Sequence, residues 1–116
     1  MTGIDYPTIT IGERTLVVRF SLYAQYLLSQ QGVDLRKPLS SRDPGYLAYR
    51  LAIFAAAVAQ NYPAGKAPTA EQWALDLDGS LDRWADIEKA IGEAMGKASE
   101  ELRAGLAAVP LQQTAS

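Results

Sequence analysis

Between Pro44 and Tyr62 the chain reads PGYLAYRLAIFAAAVAQNY, with Arg50 and Gln60 its strongly polar residues. Wound as a helix, this run sets Leu47, Leu51, Phe54 and Val58 on one stripe, at steps of four, three and four residues. Tyr46, Tyr49, Ile53 and Ala56 fall on the opposite side. A helix that is apolar on two sides is buried on both, by its own domain or by a partner. Asp43 before Pro44 is a start signal, an N-cap followed by proline at the first helical position. Asn61, Pro63 and Gly65 bring the helix to an end. Its unbroken apolar part, Leu51 to Ala59, is too short to span a bilayer, which takes roughly 20 residues. The run predicts a core helix over 44–61, with the Leu47 stripe buried against the last helix or the N-terminal strands.

What such a helix can serve is narrowed by the residues the chain lacks. It has no cysteine and no histidine, so no disulfide, thiolate nucleophile, imidazole base or ordinary zinc site is available. Any catalysis would rest on carboxylates, Ser, Lys or Tyr, and none of these converge by spacing; no enzyme and no cofactor is expected. A formal charge of −2 with mixed signs gives no electrostatic reason to expect a nucleic acid or an anionic membrane as partner. The start, MTGIDYPTIT, has neither a basic region nor an apolar one, so export by a signal peptide is not expected. At 116 residues and 48% apolar, the chain suffices for one small domain, 1–116, with its own core.

The flanking elements follow in order. Residues 7–20 read as a β-hairpin: Thr8 to Ile11 alternates, Thr15 to Phe20 is rich in strand formers, and Gly12-Glu13-Arg14 is the turn. Ile9 and Ile11 share a face, as do Leu16, Val18 and Phe20, and a lone hairpin needs that face covered. Ser21 then caps a helix over 21–31, with Phe20 placed to staple its first turn and Tyr23, Tyr26, Leu27 and Gln30 at helical spacing. Gly32 and Val33 are set up as a Schellman ending. Thr69 to Gln72 is a capping box opening a short helix over 70–77. Asp78-Gly79 breaks it, and Ser80 caps a last helix over 81–108, striped by Trp84, Ile87, Ile91, Met95, Ala98, Leu102 and Leu106. Its other face is charged and includes the four-apart pair Glu93 and Lys97. Residues 109–116 read as a flexible tail. The fold class is therefore mainly α: an N-terminal β-hairpin and about four helices, the helical part covering 21–108.

Three motifs invite sharper readings. Asp76-Leu77-Asp78-Gly79 hints at a calcium loop, but the sixth and twelfth positions counted from Asp76 hold Leu81 and Ile87, not glycine and glutamate. It reads as a turn with caps, and no metal site is expected. Gly92 and Gly96 lie among charges and mark close packing or a weak helix rather than a membrane dimer. Asp82 and Asp86 belong to a solvated face. Tyr46, Tyr49 and Ile53, on the second apolar side of the central helix, are the candidate partner-binding residues; a partner protein, a homo-oligomer or the domain's own core would each cover them.

The stretch YPTITIGERTLVVRFSLYAQYLLSQQGVDL, Tyr6 to Leu35, joins a hairpin of pattern x-I-G-x-R/K-x-L-x-x-R-F-S to a helix closing on Gly-Val-Asp-Leu. The residues carrying it are Ile11, Gly12, Arg14, Leu16, Arg19, Phe20 and Ser21, then Gly32, Val33, Asp34 and Leu35. This stretch resembles the start of the tail assembly chaperones of long-tailed bacteriophages and related gene-transfer particles. The resemblance implies a non-enzymatic virion-assembly factor that binds the tape measure protein, keeps it soluble and recruits tail tube subunits. It implies work in the host bacterial cytoplasm and absence from the mature virion. The competing class is a structural virion protein, such as a head–tail connector or tail-completion subunit, which would stay in the particle.

Overall fold

A short alternating segment closed by glycine has few ways to pair except with itself, and it does so here. The structure, a computed structural model, describes residues 6–35, 37, 39–80 and 82–108, and for 102–108 the backbone alone. Strands β1 (Thr8–Ile11) and β2 (Arg14–Val17) pair antiparallel, with Ile9 opposite Leu16 and Ile11 opposite Arg14. The loop is thus Gly12-Glu13, one residue shorter than expected, and Arg14 belongs to the strand. Gly12 has φ +64°, and no described residue other than glycine has positive φ. Positive φ at the first loop position alone is the pattern of a type II′ turn, whose twist matches the strands it joins. Ile9, Leu16, Val18 and Phe20 are buried, so the face assignment holds.

The second strand stops at Val17 rather than running to Phe20. Val18 N–H still donates to Pro7 O (2.9 Å), but Arg19 N–H donates to Ala57 O (2.9 Å). Ala57 lies in the last turn of the central helix, where carbonyls have no partner within the helix. The hairpin supplies one.

Four helices follow: α1 (Leu22–Gln30), α2 (Tyr46–Val58, continued by a 3-10 turn at Ala59–Asn61), α3 (Ala70–Leu77) and α4 (Arg83–Ala108). The chain is therefore mainly α, as its pattern predicts. The anticipated tail at 109–116, residue Leu81 and the side chains of Leu102 and Leu106 lie outside the described residues.

Local chemistry explains most boundaries. Ser21 Oγ accepts from Ala24 N–H (3.1 Å) and starts α1. At its end Gly32 has φ +74°; Val33 N–H donates to Leu28 O (2.9 Å) and Gly32 N–H to Ser29 O (3.1 Å). Those two bonds are the Schellman pair. The staple does not form: the fourth helical residue is Gln25, whose Nε2 donates to Phe20 O, and the Phe20 side chain is buried in the core. Ala24 and Leu28 are the buried residues of α1, whereas Tyr26 is 55% exposed. The capping box of α3 is complete, with Thr69 N–H donating to Gln72 Oε1 (2.7 Å) and Gln72 N–H to Thr69 Oγ1 (3.2 Å).

The expected start of α2 is a correction. Asp43 is not its N-cap: its carboxylate accepts from Ser40 N–H (2.6 Å), and its carbonyl accepts from Tyr46 N–H (3.2 Å). Pro44 and Gly45 are then the central residues of a turn, with Gly45 at φ +79°, which is the residue choice of a type II turn. The helix begins only at Tyr46, with Gly45 as a cap that offers no side chain.

From Leu51 to Ala59 every residue is buried, so α2 is enclosed on all sides there, by α1, α3, α4 and β2. Phe54 stands at the centre, its ring edge-on to Trp73 of α3 with centroids 5.1 Å apart. Ile87, Ala90, Ile91 and Ala94 of α4 complete the core, and Trp84, Met95 and Ala98 pack partly against it. Leu47, expected to be buried with its stripe, is 61% exposed.

Gly92 and Gly96 do not mark close packing. Both are exposed, and a Cβ at either position would meet nothing within 4 Å. They only weaken α4. Gly92→Ala and Gly96→Ala should each raise stability by about 0.5–1 kcal/mol in urea denaturation, with no change of fold. A loss from either variant would reveal a contact that the backbone geometry does not show.

Candidate functional site

The tyrosines of α2 sit one turn apart at its open end. The rings of Tyr46 and Tyr49 are tilted at 36°, with centroids 6.3 Å apart, and both side chains are half-buried. Tyr49 leans on the core, and Ile53, a turn further, is 0% exposed inside it. The three candidate residues thus form a gradient from rim to core, not one open face. Beside them Arg50 grips Glu88 of α4: Nε donates to Oε1 (3.0 Å) and Oε2 (3.2 Å), and Nη2 donates to Oε1 as well. This pair spans the two longest helices.

An open apolar surface lies elsewhere on the same helix. Leu47 and Leu51 of α2, Ala74 and Leu77 of α3, and Trp84 of α4 line a groove of about 330 Å³, together with Asp78 and Ser80. It exists because α3 is short and its chain turns after Leu77, where Ser80 N–H donates to Leu77 O (2.9 Å) and Arg83 N–H to Ser80 O (2.9 Å). The last helix starts at Arg83, two residues later than expected, and among the described residues Leu47 is left 61% exposed. In the Asp76 to Ser80 segment, Asp76 and Leu77 end α3, Asp78 is its C-cap, and the turn is confined to Asp78 and Gly79.

Periodicity marked Leu47, Leu51 and Trp84 as apolar but assigned all three to the core. Nothing in the pattern separated Leu47 from its stripe. Ala74 and Leu77 fall in the short helix expected over 70–77, and their three-residue spacing puts them on one face.

At the far side of the molecule, Arg19 Nη2 donates to Glu101 Oε2 (2.8 Å) while its guanidinium lies over the Tyr6 ring, 4.7 Å from the centroid. The Arg19 hydrogen bond holds the Glu101 carboxyl below its ordinary range, and burial pushes the Tyr6 hydroxyl up. A second bridge, Arg14 to Asp76 (3.5 Å), ties the hairpin to α3, with Arg14 also over Trp73 and donating to Tyr62 Oη (3.0 Å). Each of these arginines is engaged in holding elements together.

Among the described residues no three acidic side chains gather as a metal would require, and no helix is long and apolar enough to cross a membrane. Compared with models of known families, with curated proteins and with solved structures, the chain gave no match in any of the three.

Proposed function

We propose that this chain is a tail assembly chaperone of a long-tailed bacteriophage or gene-transfer particle. It binds the tape measure protein, keeps it soluble and recruits tail tube subunits in the host bacterial cytoplasm, without entering the finished particle. The reading is carried by the motif of residues 6–35, whose hairpin, Ser21 cap and Gly32-Val33 ending resemble the start of that family. An open apolar groove beside Leu47 supports it, because a domain that shelters an aggregation-prone client keeps apolar surface available. Tyr46 and Tyr49, half-buried on the other side of α2, are a second candidate contact, which Ile53 joins only where α2 is uncovered.

The test is co-expression with the tape measure protein of the same particle. The chain should carry it into the soluble fraction, and purified particles should contain none of the chain. A tape measure protein that stays insoluble would sink the reading. Stoichiometric presence in particles would assign the chain to the virion structure instead.

A further inference from the structure

We infer that the groove lined by Leu47, Leu51, Leu77 and Trp84 receives an amphipathic helix whose apolar stripe is flanked by lysine or arginine. The inference rests on the reading of the chain as a client-binding protein and adds where the client sits and which charges it carries. Leu47 and Leu51 are four residues apart on one face of α2; Leu51 is buried and Leu47 exposed, so Leu47 is the side chain a second helix would pack against. The volume, about 330 Å³, suits a few inserted side chains, as in helix-in-groove recognition.

The charge of the partner follows from the rim. Asp78 lines the groove at the C-terminal end of α3, where the helix dipole is already negative and the last turn holds no basic residue. A carboxylate there is unfavourable in the isolated domain and favourable beside a cation. Asp82, exposed between the lining residues Ser80 and Trp84, adds to it. The nearby cations are directed elsewhere: Arg83 Nη1 donates to Thr10 O (3.3 Å), Arg14 bridges Asp76, and Arg50 is held by Glu88. Among the described residues the lining is apolar apart from Asp78 and Ser80, and Asp78 is its one charge.

Two stapled helical peptides with the same leucine stripe, one flanked by lysines and one by glutamates, provide the probe. In fluorescence anisotropy the lysine peptide should bind roughly tenfold tighter, with an advantage that shrinks as salt screens it. Leu47→Ser should weaken both peptides about tenfold at an unchanged melting point, since the side chain is mostly exposed and its value lies in the contact. Asp78→Lys should reverse the preference. Equal binding of the two peptides, or full binding by Leu47→Ser, overturns the inference. So does a concentration-dependent dimer that Leu47→Ser abolishes while neither peptide binds, which would make a second copy the occupant. If Leu47→Ser still solubilises the tape measure protein, the groove is wrong and the chaperone reading stands; if the unaltered chain fails to do so, the chaperone reading itself falls.

Discussion

Phe54→Ala should remove about 3–5 kcal/mol of stability, the range for deleting a fully buried aromatic side chain. Phe54 is 0% exposed, meets Trp73 edge-on, and lies in the one segment of α2 enclosed on every side. A domain of this size holds roughly 5–15 kcal/mol in all, so the variant should unfold at much lower urea and leave little margin at physiological temperature. Leu47→Ala, on the same stripe, should change stability by less than about 0.5 kcal/mol, because its side chain already faces solvent. Leu51→Ala should fall with Phe54, at about 2–5 kcal/mol. Two equal losses at Leu47 and Phe54 would mean that the groove is closed in solution.

Glu88→Ala should cost about 1–3 kcal/mol, less than a fully buried pair because its side chain is 28% exposed and that of Arg50 is 17% exposed. Desolvation works against the Arg50 charge and the Glu88 carboxylate outweighs it, so the guanidinium pKa lies above its ordinary value. Removing the carboxylate leaves that desolvation uncompensated, which is where the loss arises. The double variant Arg50→Leu/Glu88→Leu should recover most of it, since neither charge then needs a partner. Denaturation midpoints for the two single variants and the double variant decide the matter. A double variant no more stable than the worse single one would show that the pair positions α4 rather than merely offsetting burial.

The parts of the fold that were legible beforehand are those decided within a few residues. Ser21, Gly32-Val33 and Thr69-Gln72 each satisfy backbone groups of their own helix end, so sequence alone specifies them. Asp43-Pro44 misled because the same residues suit two local structures. Gly45 decided between them by accepting a positive φ, and a turn formed in place of the cap. Periodicity places Leu51, Ile53, Phe54, Ala56 and Val58 on the two apolar sides of α2, yet a helix apolar all round carries no record of which end is covered. Leu47, expected to be buried, is exposed, and Ile53 is enclosed by the domain's own core, one of the three covers its side admits. The groove depends on where three helices part, which is a property of their lengths and turns, not of any one segment. Arg50 with Glu88, and Arg19 with Glu101, lie 38 and 82 residues apart, beyond any local reading.

Small hairpins commonly recruit a third strand from a neighbouring molecule, because their outer backbone groups stand unpaired. Here the groups of Val17, at the end away from the turn, are occupied. Asn61 Nδ2 and Gln60 Nε2 both donate to Val17 O, Val17 N–H donates to Asn61 Oδ1, and Arg19 N–H is taken by Ala57 O. Across the hairpin, Thr10 O accepts from Arg83. A second molecule pairing at Val17 would have to displace the chain's own side chains there before it could add a strand. Strand addition is therefore disfavoured at Val17, where the chain's own 3-10 turn seals that corner of the hairpin.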